Sequence, residues 1–313
     1  MNQRIEQYLT QLKRELSGCD RATIQDALSD TEEHLRTALD AAVATADGPS
    51  ETDALATIIE KYGSPNEVAA SYREMERLTP LPFSRPAPRE QRSVATTKVS
   101  REPEPPDDRP FYARFFGVVL EPRAWGAFLY LFISMLTGIF YFTWVTTGMS
   151  LSLGLLVLII GLPVAALFIL SVRGLSLVEG RIVEALLGVR MPRRAVYQRR
   201  NRGWWPRFKD IVSDKYTWLS IIYMLLQMPL GIFYFTLFTV LISLFLLGFA
   251  IPVMQLIFSV PIFNINGVYY YLSAWLLPFT VIIGVLIGIA MLHLAKALGK
   301  LHGGLARLLL VRV

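Results

Sequence analysis

Two long stretches without any charged residue constrain this chain more than any other feature of its sequence. No Asp, Glu, Lys or Arg occurs from Ala124 to Val172 or from Trp218 to Ala295. Each stretch is much longer than the roughly 20 apolar residues with which a helix spans a bilayer. With 53% hydrophobic residues overall, the chain is also too apolar for an ordinary soluble protein. The pattern predicts a helical membrane domain with several crossings.

An internal repeat links the two apolar stretches. The hexapeptide Gly-Ile-Phe-Tyr-Phe-Thr begins at Gly138 and again at Gly231, a spacing of 93 residues. An acid, a Trp and a Tyr precede each copy at the same distances, namely Glu121, Trp125 and Tyr130 and then Asp214, Trp218 and Tyr223. The repeat predicts a parallel duplication, in which both copies run from inside to outside about an axis along the membrane normal.

The repeated glycines and aromatic residues are candidate positions for helix packing or ligand binding. Because glycine has no side chain, two helices can approach closely at Gly138 and Gly231. Two interpretations stay open: helix packing within the duplicated core, or a pocket for a lipid or another apolar ligand between the halves. The candidates are Trp125, Tyr130, Gly138, Phe140, Tyr141, Trp218, Tyr223, Gly231, Phe233 and Tyr234.

Charge and proline content divide the chain into three regions. Residues 1–79 carry 15 acids against 8 Lys or Arg, and their apolar spacings of three and four predict a small cytoplasmic helical bundle. Residues 80–110 contain eight prolines and are predicted to be a disordered linker. Residues 111–313 form the membrane domain. Its predicted spans lie at about 124–145, 151–172, 218–239 and 275–295.

Basic segments set the expected orientation in the membrane. Residues 173–215 carry 11 Lys or Arg against 4 acids, and the tail after Ala295 carries four basic residues and no acid. The positive-inside rule places both segments in the cytoplasm. The N-terminus is also expected there, because the charged, amphipathic start is not a signal peptide.

The predicted fold class is all-α, with a polytopic membrane domain built from a duplicated two-helix repeat. Two cytoplasmic ends require an even number of crossings, so we expect four. The segment 241–273 is then an outer re-entrant or interfacial segment, since Pro252, Pro261 and the run Tyr269–Tyr271 suit an interface better than a lipid-facing helix. A fifth crossing at 241–261 is the alternative.

The membrane domain resembles the sensor domain found at the N-terminus of many actinobacterial histidine kinases. The resemblance is carried by the Trp-x4-Tyr-x7-Gly-Ile-Phe-Tyr-Phe repeat, by Gly161-Leu162-Pro163 and by the segment from Arg173 to Gly188. It covers nearly all of residues 111–313. It implies a multi-pass protein of the bacterial inner membrane that takes part in signalling, and it does not supply a ligand.

Residues 1–79 resemble the HAAS domain, which recurs in bacterial membrane proteins often associated with PadR-type transcription regulators. The matching motifs are Tyr8-Leu9, Glu32-Glu33-His34-Leu35 and the run from Tyr62 to Ala69. The resemblance implies that this domain is the cytoplasmic output. The candidate partner-docking residues are Glu33, His34, Tyr62, Ser64, Pro65 and Glu67.

No catalytic or metal-binding residues and no cofactor are predicted. The single cysteine, Cys19, excludes an internal disulfide and a cysteine-based zinc site. The run Glu33 to Thr37 invites comparison with a histidine-kinase phospho-acceptor box, but His and Glu are exchanged and no ATP-binding domain follows. No P-loop, nucleophile elbow or pair of carboxylates within a span occurs. Direct nucleic-acid binding is not expected either, because the basic residues flank membrane segments.

Three functional hypotheses remain. In the first, the protein senses a membrane or envelope state and binds or releases a cytoplasmic regulator, such as a PadR-type regulator, through the HAAS domain. In the second, it is an accessory or assembly subunit of a membrane transporter or synthase. In the third, the HAAS domain self-associates as a homo-oligomer, or docks on the basic 190–209 loop of its own chain.

Overall fold

The computed structural model describes residues 3–43, 50–79, 81–82, 111–156, 161–193, 209 and 212–311. Apart from residues 81–82, the predicted linker lies outside the described residues, as does most of the basic loop between residues 194 and 211. Contacts divide the chain into two compact units. The first comprises Met1–Pro106, Thr147–Tyr223 and Leu305–Val313, and the second comprises Asp107–Thr146 and Met224–Gly304.

The first unit contains a domain of four helices within residues 3–79. They are α1 (Gln3–Glu15), α2 (Arg21–Val43), α3 (Glu51–Tyr62) and α4 (Pro65–Leu78). Apolar residues at spacings of three and four face inward, and the fully buried members include Ile5, Leu12, Leu16, Leu35 and Leu55. Burial of a Leu or Ile side chain contributes about 1.5 to 3 kcal/mol, so this core holds the short helices together.

The turn between α3 and α4 shapes one corner of this domain. Gly63 has a φ of 109°, in the left-handed region that favours glycine, and its N–H donates to the carbonyl oxygen of Ile59 at the end of α3. Ser64 and Glu67 then form both bonds of a capping box, with Pro65 in the first turn of α4. Residues next to the turn therefore both end α3 and start α4.

The described part of the membrane domain contains four long apolar helices. A short helix α5 (Phe111–Gly117) and a 3₁₀ turn (Val118–Leu120) come first. The long helices are α6 (Pro122–Leu155), α7 (Gly161–Leu187), α8 (Lys215–Phe258) and α9 (Leu277–Leu310), the last preceded by a 3₁₀ turn at Ala274–Leu276. All four are long and apolar enough to cross a membrane. The chain is a membrane protein with an all-α fold. We call α6 and α7 repeat 1, and α8 and α9 repeat 2.

The structure differs from the sequence-based expectation for residues 241–258. They are not a re-entrant segment but continue α8, an unbroken helix of 44 residues, about 66 Å long. Pro229 and Pro252 lie inside this helix and do not end it. Ending a helix in apolar surroundings leaves several backbone groups without hydrogen bonds, whereas one proline removes a single bond. Because this segment belongs to α8, it is not a separate fifth crossing in the described chain.

A short β-hairpin lies in the connection from α8 to α9. Strands β1 (Phe263–Ile265) and β2 (Val268–Tyr270) pair antiparallel around the two-residue turn Asn266-Gly267. Both turn residues have positive φ, 52° and 83°, which is the geometry for which Asn-Gly is favoured. The run Tyr269–Tyr271 is exposed, as is typical of aromatic residues at a membrane interface.

Candidate functional site

The two glycines of the repeated hexapeptide lie where α6 and α8 touch. A Cβ added to Gly138 would lie 2.6 Å from the carbonyl oxygen of Gln227, and one added to Gly231 would lie 2.5 Å from that of Ser134. Real Cβ atoms essentially never approach other atoms so closely, so the two backbones meet directly. The contact is reciprocal, because each glycine faces the residue four positions before the other glycine.

The contacts along α6 and α8 follow an antiparallel order. The rings of Phe128 and Phe238 are 5.5 Å apart, and those of Phe132 and Phe235 are 4.9 Å apart. The beginning of α6 therefore meets the later part of α8. The side-by-side parallel arrangement implied by a parallel duplication is wrong for these two helices. The contacts therefore run in opposite order along the two helices near their crossing, and the glycines let the backbones touch there without side chains between them.

The aromatic residues of the two copies share one pattern of burial. The four repeated tyrosines, Tyr130, Tyr141, Tyr223 and Tyr234, are buried. By contrast, Phe140 and Phe233 are 50% and 55% exposed. Only the tyrosines among these candidates therefore face the interior, and the two phenylalanines lie on the outer surface of the helices.

The repeated tryptophans also have equivalent surroundings. Trp125 and Trp218 are each 47% exposed. Each indole Nε1–H donates to the carbonyl oxygen six residues earlier, Val119 and Val212 respectively, at 2.8 Å in both cases. Each Trp thus fixes the chain that enters its helix, and both copies adopt the same local structure at this point.

The repeated acids form ion pairs with bases on the second helix of the other repeat. Lys296 on α9 donates to both carboxylate oxygens of Glu121, at 2.6 and 2.8 Å. Arg173 on α7 donates to Asp214 at 2.8 Å. Sequence reasoning identified the two acids and missed the bases. The sequence does carry a signal for them, which is their position. Arg173 and Lys296 stand 123 residues apart, at equivalent places in the second helices of the two repeats.

The repeated tyrosines form a second pair of links of the same kind. The hydroxyl of Tyr130 is 2.8 Å from Nε2 of His302, and the hydroxyl of Tyr223 donates to Oε1 of Glu179 at 3.1 Å. Glu179 and His302 are buried and again stand 123 residues apart. The first helix of each repeat is therefore bound to the second helix of the other repeat, so the two repeats are interlocked.

His302 is the centre of a buried polar cluster in the second unit. Besides Tyr130, it contacts the hydroxyl of Tyr234, which is 3.4 Å from its Nδ1. Nε2 of Gln227 donates to the hydroxyl of Tyr130 at 3.3 Å and to that of Thr137 at 3.4 Å. Buried polar groups are costly unless they bond to each other. The cluster therefore favours one alignment of α6, α8 and α9, and a shift between these helices breaks its bonds.

In the first unit, Arg190, which follows α7, binds the N-terminal domain. Its guanidinium donates to the carbonyl oxygens of Thr79 at 2.6 Å and Glu76 at 3.3 Å, and to the hydroxyl of Thr23 at 3.4 Å. These acceptors lie at the end of α4 and the start of α2. The negative end of the α4 helix dipole also favours a cation at this position.

Two further arginines contact the same side of the N-terminal domain. Arg307, in the last turn of α9, forms an ion pair with Asp20 at 3.0 Å. The backbone N–H of Arg193 donates to both carboxylate oxygens of Asp26, at 2.8 and 2.9 Å. We call the five residues that receive these bonds the docking surface: Asp20, Thr23, Asp26, Glu76 and Thr79.

The partner-docking residues predicted from the sequence lie elsewhere on the domain. The ring of His34 stacks on that of Tyr62 at 4.6 Å, and Glu33 is exposed beside it on α2. Ser64, Pro65 and Glu67 belong to the capping box that begins just after Tyr62. We call this set the exposed corner: Glu33, His34, Tyr62, Ser64, Pro65 and Glu67.

Hydrogen bonding and burial shift three ionisation equilibria in the N-terminal domain. The backbone N–H and the hydroxyl of Ser64 donate to Glu67 and lower the pKa of its carboxyl group. Burial raises the pKa of Tyr8 to about 12, and its hydroxyl donates to the carbonyl oxygen of Gly63 at 2.8 Å. Burial, with the neighbouring Glu76, raises the pKa of Cys19, so this thiol is a weak nucleophile at neutral pH.

The families that match this chain agree with its architecture. Apolar helices that can cross a membrane, with a small domain bound at the ends of two of them, define a multi-pass membrane protein with a docking domain. The chain belongs to the Sensor family, whose family model matches residues 130–310, and it carries a HAAS domain at residues 7–71. Both assignments predicted from the sequence are confirmed. Searches of curated proteins and of solved structures found no match.

The two matched families identify a signalling protein. Sensor and HAAS are signalling domains rather than catalytic ones, and HAAS domains typically mediate interaction with a partner. Among the residues that the structure describes, no group of three or more His, Cys, Asp or Glu side chains is placed to hold a metal ion.

Proposed function

We propose that this protein is a non-enzymatic sensor of the bacterial inner membrane, which reports a membrane or envelope state to a cytoplasmic regulatory protein. Both chain ends lie in the cytoplasm in this proposal, because the basic segments around α7 and α9 follow the positive-inside rule. The HAAS domain is the output, and a PadR-type transcription regulator is the expected partner.

The observation that carries this proposal is the direct contact between the HAAS domain and residues at the ends of α7 and α9. Arg190 follows the second helix of repeat 1, Arg307 lies in the second helix of repeat 2, and both bind the docking surface. In this proposal, a shift of one repeat against the other changes the distance between these two arginines. The linker is then not required to transmit a motion and serves as a tether that keeps a released domain close to the membrane.

The interlocked repeats supply a route for such a shift. A change in the crossing of α6 and α8 moves Tyr130 and Tyr223, which are bound to His302 and Glu179 on the second helices. The second helices move with them, because a buried hydrogen bond that is stretched or broken is costly to leave unmade. Interfaces of this kind change between discrete arrangements rather than deforming continuously.

The test is crosslinking in native membranes followed by purification, with the full-length protein and a form that lacks residues 1–79. A DNA-binding regulator that is captured only by the full-length protein supports the proposal. Capture of a transporter or synthase by both forms makes the membrane domain the docking surface. That result favours the accessory-subunit hypothesis and contradicts the sensor proposal.

A further inference from the structure

We infer that the docking surface, rather than the exposed corner, is where the cytoplasmic partner binds, and that the partner presents an arginine-bearing segment to it. This chain's own arginines and the partner then compete for one surface. The inference rests on the proposed function and identifies its binding surface and the chemistry of the partner.

The docking surface is built to receive guanidinium groups. Arg190 finds three acceptors there, two of them main-chain carbonyl oxygens at the end of α4. A guanidinium carries five N–H donors in a planar fork and no acceptor, so a cluster of carbonyl, hydroxyl and carboxylate oxygens matches it. Lysine, with a compact ammonium group, fits a spread of acceptors less well.

The acceptors keep their positions when the arginines leave, because the fold of the domain holds them. Asp20 immediately precedes α2, and its Oδ1 accepts from the N–H of Ala22 in the first turn at 3.0 Å. The backbone N–H of Asp20 donates to the carboxylate of Glu76 at 3.2 Å, which ties the start of α2 to α4. The surface is therefore preorganised for a second ligand of the same chemistry, which reduces the entropic cost of binding.

The contact with the chain's own arginines is of an exchangeable kind. It consists of hydrogen bonds and an ion pair in which Arg307 is 31% exposed and Asp20 is 8% exposed. Partly exposed ion pairs are individually weak and are screened by salt. The charge of the domain also selects the partner, since 15 acids against 8 Lys or Arg in residues 1–79 favour a basic ligand.

The probe for the test is a fluorescent peptide with the sequence of residues 186–193, Leu-Leu-Gly-Val-Arg-Met-Pro-Arg. Its binding is measured to the full-length protein in lipid nanodiscs. The double variant Arg190→Ala/Arg307→Ala frees the acceptors of these two arginines. It should bind the peptide at least about fivefold more tightly than the wild type, since binding to the wild type requires displacement of both side chains. A peptide with both arginines replaced by alanine should not bind.

A matched pair of variants on α2 shows whether the peptide binds at the docking surface or is attracted by the net charge of the domain. In the double variant, Asp26→Ala should weaken peptide binding several-fold, whereas Glu33→Ala at the exposed corner removes the same charge and should leave it unchanged. If the double variant folds poorly, Arg307→Ala alone is the milder variant. We expect it to give a smaller increase in peptide affinity. Equal affinity of wild type and double variant, or equal losses from Asp26→Ala and Glu33→Ala, would overturn the inference.

Crosslinking of the natural partner distinguishes this inference from the proposed function. Both predict capture of a cytoplasmic regulator by the full-length protein. Only the inference predicts that Arg190→Ala/Arg307→Ala increases capture and that Asp26→Ala reduces it. Capture that depends on Glu33 and His34 instead would contradict the inference and leave the proposed function standing, whereas capture of no regulator by any form would contradict the proposed function itself.

Discussion

Two glycines set how closely the repeats approach, and their importance comes from what surrounds them. Gly138 and Gly231 face main-chain atoms, which cannot move aside as the end of a flexible side chain can. By contrast, Gly154 and Gly174 of the membrane helices lie in open space, with no atom within 4 Å of an added Cβ. The glycine of each hexapeptide is therefore explained by a backbone contact between α6 and α8.

The first prediction concerns this contact. Gly138→Ala should lower the free energy of unfolding by about 1 to 3 kcal/mol, because the added methyl group overpacks the crossing and pushes α6 and α8 apart. Gly154→Ala, on the same helix, should leave the stability unchanged or raise it by up to about 1 kcal/mol through helix propensity. Unfolding in mixed detergent micelles measures both. Equal effects of the two variants would show that the crossing is not tight.

A second prediction at this scale concerns Tyr8 and alkaline pH. Its pKa in the folded protein is raised by burial to about 12, against 10.0 for an unperturbed tyrosine. The folded state therefore keeps the proton longer than the unfolded state, so the stabilisation is complete below pH 10 and is lost as the pH rises towards 12. We expect Tyr8→Phe to flatten the loss of stability in this range.

Thermal unfolding of the full chain between pH 9 and pH 12 tests the role of Tyr8, with the phenolate absorbance recorded in parallel. Tyr8→Phe also removes the hydrogen bond to Gly63, so its stability at neutral pH should be lower. The informative quantity is the slope of stability against pH. Equal slopes for wild type and variant would contradict the assignment of the raised pKa to Tyr8.

At the scale of whole elements, reciprocal ion pairs show which helices of the two repeats pack against each other. The ion pairs of Glu121 with Lys296 and of Asp214 with Arg173 each join the start of a first helix to the second helix of the other repeat. Pairing of each first helix with its own second helix would instead bring Glu121 to Arg173 and Asp214 to Lys296. The links therefore favour the interlocked arrangement over two independent hairpins.

Exchange of the charges across one link tests the arrangement. Lys296→Glu should destabilise the protein by about 1 to 3 kcal/mol, because it removes a charge-assisted bond and brings two acids together. Adding Glu121→Lys restores opposite charges in the reversed order and should recover more than half of the loss. Unfolding in micelles measures all three forms. A double variant as unstable as the sum of its single variants would mean that the two side chains do not interact.

The sequence predicted those elements whose signals are local. The end of α3 at Gly63 and the capping box that starts α4 follow from residues within a few positions of each other, and the four apolar helices follow from composition alone. The continuity of α8 through Pro252 was missed, because a proline in an apolar run was interpreted as a break. In apolar surroundings, the one hydrogen bond lost at a proline costs less than the several hydrogen bonds lost where a helix ends.

The candidate site was predictable only in part, for a physical reason. Tyr130 and Tyr223 were visible because they recur at a fixed distance from the hexapeptide, whereas His302 and Glu179 are different residue types at equivalent places and leave no repeat in the sequence. Arg190 and Arg307 were interpreted through the positive-inside rule, which explains a basic segment without a specific contact. Only tertiary structure shows that Arg190 and Arg307 receive the N-terminal domain.

At the scale of the whole molecule, the proposed signal is a change between a docked and a released HAAS domain. The single cysteine is well placed to report it, because Cys19 precedes Asp20, the partner of Arg307, and lies near Glu76, whose carbonyl oxygen binds Arg190. We expect release of the arginines to make Cys19 more accessible, because they bind at its chain neighbour Asp20 and at Glu76. The rate at which a maleimide labels Cys19 is then a measure of the released population.

The final prediction is that release depends on Arg307 and on ionic strength. In nanodiscs, Arg307→Ala should raise the labelling rate of Cys19 by about threefold or more, since thiol labelling follows access to the thiolate. Lys300→Ala removes the same charge two turns earlier on α9, at an exposed position, and should leave the rate unchanged. Higher salt should speed labelling of the wild type and have less effect on Arg307→Ala, because the screened ion pair is already absent there. If both variants and all salt concentrations gave one rate, the domain would not be held by this contact, and signalling by release from α9 would have to be abandoned.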